Sequence, residues 1–369
     1  MVRKLASMFA LALSALNFCA LAATSAWAET EIRIAVPGTG LDGRPFVHST
    51  SVAVAHVQRF VEDEFKDQPD VKVTWTFFRG AGPVINEAIA AGQIDVFALG
   101  DLPALVGKSR GLRTRLLLSA SVREPLYLAV PANSDIHSIA DLKGRKVSQF
   151  RGTNLQIATD LALAAHGLTE KDVRFVSLDS AAAVSALLSG NVDAVFGQVE
   201  YLDLARNGLV KIVYSNKDEV SALGRNAAIF VTEDFEKAHP DTTQKVVNAF
   251  VKAAGFTADE ANRDKVFEIW AKSGLPVSSF VADHQGERLA WRISPLIDPY
   301  TIGRYKAQTE RAKAYGLLKK DVDVDAWLEP KYLDHALKEL GLEHFWPAYD
   351  AKGDKISDGE VEKTRSASQ

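Results

Sequence analysis

The chain has 369 residues, 47% of them hydrophobic, with 43 Lys and Arg against 47 Asp and Glu and a net charge of −4. That length suits about two domains with true cores, and the mild negative charge gives no pull toward nucleic acid or an anionic membrane surface. A single cysteine, Cys19, excludes an internal disulfide framework and a cysteine-built metal centre.

The N-terminus reads as a secretory signal. Arg3 and Lys4 precede an apolar run from Leu5 to Ala23, and Ala26-Trp27-Ala28 forms a small-x-small triplet before Glu29. The bulky Phe18 before Cys19 does not suit lipoprotein processing. Cleavage after Ala28 would remove Cys19, carry the net charge two units further negative and release an exported protein.

Glu31 to Val36 alternates and ends at Pro37-Gly38, which predicts a first strand. A long loop through Thr39, Gly40, Arg44 and His48 follows, and Ser49-Thr50-Ser51 caps a helix. Val71 to Phe77 is a second strand, ending at Arg79-Gly80-Ala81-Gly82. A helix with Pro83 at its first position then runs to Gly92, and Ile94 to Leu99 is a buried strand stopped by Gly100-Asp101. The same figure returns from Ala181 to Tyr201: Gly92 and Asp95 correspond to Gly190 and Asp193. One helix–turn–strand unit used twice predicts two α/β lobes of similar build. In such sheets ligands bind beyond the carboxyl ends of the strands, which selects Gly100-Asp101 and Gln198 to Tyr201.

Leu126 to Pro131 and Ala227 to Val231 are strands placed to carry the chain into a second lobe and back. The predicted layout is a signal peptide over 1–28, a first lobe over 29–127 and 228–348, and a second lobe over 128–227. Residues after 242 read as helices against the first lobe, and 349–369, poor in large aliphatics, as a disordered tail.

Few motifs offer catalysis. Gly107-Lys108-Ser109-Arg110-Gly111 fits the serine-hydrolase elbow, but a helix-like segment precedes it where a strand is required. The eight histidines include no pair at metal-binding spacing, so neither a metal nor a cofactor is expected. Asp101 and Glu200 read as hydrogen-bond acceptors for a ligand or as helix caps. Arg79 and Arg151 each precede a glycine turn into a helix, a combination that holds an oxyanion without a metal.

Phe78 to Pro83, Gly92-x-Ile94-Asp95, Gly100-Asp101, Asp141-Leu142-Lys143-Gly144-x-Lys146-Val147, Gly190 to Ala194 and Gly316 to Asp323 together resemble the aliphatic sulfonate, taurine and nitrate binding proteins of bacterial ABC importers. The resemblance implies a type II periplasmic binding fold: two α/β lobes, two crossover strands and a ligand between them. It implies ligand contacts at Thr39, Gly40 and His48, at Gly100 and Asp101, at Arg151, Gly152, Thr153 and Asn154, and at Gln198, Glu200 and Tyr201; Arg79, from the reading of its glycine turn, is expected to assist from the other lobe. Two departures stand out. Gln198-Val199-Glu200-Tyr201 keeps only the tyrosine of the family's Trp and Asp-Pro-Tyr pattern, and the loop over 38–48 is longer than usual. The expectation is a monomeric receptor that hands a small organic anion to an inner-membrane ABC permease, with no nucleic-acid partner. An enzyme on the same fold, such as a thiamine-precursor synthase relative or a small lyase, is the alternative.

Overall fold

The computed structural model describes residues 30–363. The expected leader, its cleavage triplet and Cys19 lie outside the described residues, as do residues 364–369. In chain order β1 (Thr30–Pro37), α1 (Ser51–Val57), β2 (Val71–Phe78), α2 (Ala81–Ala90), β3 (Val96–Gly100), α3 (Asp101–Ser109) and β4 (Thr114–Glu124) come first. The chain then crosses at Pro125-Leu126 and lays down β5 (Tyr127–Pro131), β6 (Lys146–Gln149), α4 (Asn154–Ala165), β7 (Arg174–Ser177), α5 (Ser180–Leu188), β8 (Ala194–Gly197) and β9 (Val210–Ser215). It returns as β10 (Arg225–Thr232).

Two five-stranded sheets result, ordered β2-β1-β3-β10-β4 and β7-β6-β8-β5-β9. In each, four strands run one way and one is reversed: β10 is antiparallel to both β3 and β4, and β5 to both β8 and β9. The repeat has a physical basis at two aspartates. Asp95 accepts the Arg33 amide at 2.9 Å, and Asp193 accepts the Lys146 amide at 2.7 Å, so each copy ties its strand to the neighbouring parallel one. Gly92 and Gly190 take φ of 68° and 71°, a backbone turn that favours glycine. The helix of the first copy starts at Ala81, two residues before the expected position. Pro83 is therefore the third helical residue, where its missing N–H still has no helical partner to lose.

Helices α6 (Pro240–Ala258), α7 (Arg263–Ala271), α8 (Val277–Asp283), α9 (Pro299–Ala314) and α10 (Lys331–Glu339) follow. Val246, Phe250, Val266 and Trp270 share one core with Ile34 and Val36 of β1 and Leu117 of β4. The Trp270 indole also donates to the Thr50 carbonyl at 3.1 Å and so anchors the start of α1 from within that core. The strand that returns to the first sheet begins at Arg225, two residues before the expected Ala227, which puts Arg225 in the first sheet.

Within the expected disordered tail, the described residues 349–363 carry secondary structure. Ala348–Tyr349 (β11) pairs with Lys355–Ser357 (β12), and Val361 is buried in the first core. Gly359 passes so close to the Phe345–Pro347 backbone that a Cβ there would stand 2.4 Å from the Pro347 nitrogen. Tyr349 completes a cage with Trp291 and Tyr300 around the Arg123 guanidinium, at 4.0–4.1 Å from the three ring centres. A hydrophobicity count misses this segment because glycine contact and aromatic–cation packing hold it, not a run of aliphatics.

Side chains also fasten the two crossings to one another. The Asn216 carbonyl oxygen accepts the Leu126 amide at 2.7 Å, and its amide donates to the Leu223 carbonyl at 2.9 Å. Arg225 donates twice to the Pro125 carbonyl, at 3.2 and 2.9 Å.

Candidate functional site

Beyond the carboxyl ends of β1, β3 and β8 lies a cavity of about 130 Å³, roughly ten times the space one water needs. Both sheets contribute to its walls. Thr39, His48, Ser49, Thr50, Gly100, Ser121, Glu124 and Arg225 line it from the first, and Phe150, Thr153, Asn154, Ser180 and Gln198 from the second. Helices α1 to α5 all begin at this cavity, each presenting its capping residue or first turn, and four of them run nine residues or more. Helix starts carry unpaired N–H groups and a partial positive charge, so their convergence favours an anion. Helix α2 begins with no side-chain cap on its amides.

Among the described residues that line the cavity, Arg225 is the one cation, 4% exposed. Its register opposite Glu124 on β4 sets the two 3.9 Å apart. Burial pushes the Glu124 carboxyl up to about 7, outweighing the pull of Arg292 and Arg225. Burial likewise lowers Arg225, against the attraction of Glu124. Both move toward neutrality because desolvation outweighs an ion pair at that separation. His48, 6% exposed, meets the Ser49 hydroxyl at 3.1 Å through Nδ1, and burial followed by Arg225 lowers it to about 4. It is a neutral imidazole and a weak base. The Thr39 hydroxyl is buried without a hydrogen-bond partner.

Of the residues expected at the site, Thr39, His48, Gly100, Thr153, Asn154 and Gln198 come together on the cavity wall. Thr153 caps α4, and the Asn154 amide donates across to the Asn226 carbonyl at 3.2 Å. The others stand elsewhere. Gly40 turns its loop, its N–H bonded to the Phe46 carbonyl at 3.1 Å, while Arg44 reaches Gly274. Asp101 is buried behind the wall, accepts the Leu102 amide and the Gln308 side chain, and is raised by burial. Glu200 and Tyr201 are buried against Gly197, and burial raises the Glu200 carboxyl.

The two arginines favoured by sequence do not line this cavity. Arg151 faces outward, 48% exposed, and pairs with Glu170 at 3.0 Å. Arg79 is 66% exposed and pairs with Asp179, the cap of α5, at 2.9 Å. That second pair joins the first sheet's side of the cleft to the second's. Gly152, between them, passes Pro83 so closely that a Cβ would stand 2.8 Å from its ring, so it serves as a contact between the two sides. Exposed pairs contribute little. Arg151→Ala and Arg79→Ala should therefore each change anion affinity by less than about threefold in calorimetry, and a loss of about a hundredfold in either would put that guanidinium on the ligand.

Sequence reasoning missed Arg225 and Glu124. The available signal was a Gly-Arg-Asn start to the returning strand and an Arg-Glu-Pro end to the outgoing one, which acquire meaning only once the two strands are paired. The hydrolase-like motif lies at the end of α3, with the Ser109 hydroxyl bonded to the Val106 carbonyl at 2.9 Å.

The model of the NMT1/THI5 like family matches residues 72–263. A putative aliphatic sulfonates-binding protein of Escherichia coli is 28% identical over 238 residues, covering 63% of this chain and 71% of that protein. The crystal structure of a putative periplasmic sulfonate-binding protein, SsuA, from Methylobacillus flagellatus superposes with a TM-score of 0.74 at 31% identity. It covers 88% of this chain and 98% of that one. The desulfurization enzyme DSZB superposes with a TM-score of 0.62 at 16% identity over 84% of this chain and 99% of that one, a likeness of fold alone.

Proposed function

Since the chain belongs to the NMT1/THI5-like family, we propose that it is the substrate-binding protein of an ABC importer, holding a small organic anion of the sulfonate or taurine kind between its two lobes. The observation that carries this reading is the cavity: four helix starts of substantial length and one buried guanidinium aim at a space of a few non-hydrogen atoms. A permease is the partner that such a receptor serves. Cleavage after Ala28, release into the periplasm and action as a monomer complete the proposal.

In this reading the acid group of the ligand lies against Arg225, with the amides of α2 and α4 and the hydroxyls of Thr39 and Thr153 around it. Gln198 and Phe150 face the remainder. Closing the cleft removes water, which strengthens each of these contacts. The chemistry ends at capture, since the imidazole at the site is too weak a base to activate the neighbouring Ser49. An enzyme would instead need an activated nucleophile or a base of higher pKa at that wall.

A thermal-shift and calorimetry screen with ethanesulfonate, taurine, nitrate and short carboxylates tests the proposal. A ligand at about a hundred times its Kd should stabilise the protein by about 2.7 kcal/mol, read as a rise in Tm. Turnover of any of these compounds, or no shift with all of them, would overturn the receptor reading.

A further inference from the structure

The capture of an anion leaves one group on the cavity floor unexplained. Glu124 lines the cavity and is 6% exposed. Its Oε1 is buried without a hydrogen-bond partner, and its Oε2 stands 3.9 Å from Arg225, beyond hydrogen-bond reach. A buried oxygen in that state is costly unless something completes it, and the space it borders is the ligand's.

Two charge states are possible for this carboxyl, and they treat an anion in opposite ways. Ionised, it repels the ligand and competes with it for Arg225 across a part-buried site where like charges interact strongly. Neutral, it has an O–H to give and leaves Arg225 free for the acid group. We propose that Glu124 meets the anion as the neutral acid, taking one proton from solvent when the ligand binds, donating its O–H to an acid oxygen, and returning the proton when the ligand leaves. This rests on the receptor reading above.

The surroundings are consistent with a carboxyl poised for that exchange. Arg225 faces it from β10 and Arg292 from the short helix Leu289–Arg292, and both favour the carboxylate. Asp283 at the end of α8 and Glu287 just beyond it favour the acid, as does burial, the largest of these influences. His48, on the same cavity wall, is already neutral, while Glu200 favours the charged form of Arg225. With the carboxyl near 7 in the empty protein, an added negative charge beside it can only raise it further.

The sign of the linkage follows. Affinity is level below the empty-state value and falls by up to tenfold per pH unit above it, until the bound-state value is passed. Calorimetry with ethanesulfonate, which stays ionised throughout, tests this from about pH 5.5 to about pH 8.5 on the natural protein and on Glu124→Gln. The natural protein should show that fall, together with heats that depend on the buffer's own ionisation enthalpy. Glu124→Gln, which keeps a donor and cannot titrate, should bind with level affinity and should be roughly tenfold tighter than the natural protein at the alkaline end. A level profile in the natural protein, or a slope that survives in Glu124→Gln, overturns the inference while leaving the receptor reading intact. So does tight, pH-independent binding of taurine without binding of ethanesulfonate, because Glu124 would then be an ionised acceptor for an ammonium. Failure of ethanesulfonate, taurine and nitrate to bind at any pH overturns the receptor reading, and this inference with it.

Discussion

Arg225→Ala should weaken ethanesulfonate binding by about 30- to 1,000-fold, corresponding to about 2–4 kcal/mol. Three features set this magnitude. The guanidinium is the cation on the cavity wall, it is 4% exposed, and its Nε and Nη2 are spent on the Pro125 carbonyl. The remaining edge of the fork is thus held rigid before any ligand arrives, and little ordering cost is left for binding. Arg225→Lys separates charge from geometry. It keeps a positive charge but loses the paired hydrogen bonds to the Pro125 carbonyl, so its affinity should fall between the other two. Calorimetry at a pH where Glu124 is neutral, about 5.5, measures both. A loss below about threefold in Arg225→Ala would mean that the acid group sits elsewhere in the cavity.

Tyr349→Ala should be the most damaging single change in the C-terminal segment, lowering stability by about 3–5 kcal/mol as for other buried aromatic truncations. The ring is buried, and it is one of three that face a guanidinium with little other compensation. Burial already lowers Arg123, whose Nε and Nη2 are without partners. Arg123 also holds a φ of 56°, immediately before Glu124 and the first crossing. Loosening the cage therefore releases a strained residue next to the cavity. In thermal unfolding Tm should drop by roughly 5–10 °C, and a change below about 2 °C would mark the hairpin as peripheral.

Much of this architecture is readable in the chain itself. The repeat centred on Gly92–Asp95 and Gly190–Asp193 locates the two sheets, because a left-handed turn and an aspartate that fastens neighbouring strands leave the same local mark twice. Helix starts at Ser51, Asp101 and Asn154 are legible for a similar reason, since caps and glycines act over a few residues. The arginines are not. A guanidinium beside a glycine turn looks alike whether it meets a ligand or a carboxylate, and the partner of Arg79 is Asp179, a hundred positions away. Arg225 depends on Pro125 and Glu124 in the same manner. What decides such side chains is strand pairing between distant segments, and no local pattern records it. The tail escapes a sequence reading because its order depends on Tyr349 reaching Arg123 and on Gly359 fitting under Phe345, neither of which counts as hydrophobic periodicity.

The meeting of helix starts has an evolutionary corollary. Peptide N–H groups belong to every sequence that keeps the fold, so a share of the preference for negatively charged guests survives the replacement of any one wall side chain. Wall side chains are then at liberty to drift, and one ancestral scaffold can be re-tuned from guest to guest without passing through a form that has lost its appetite for acids altogether.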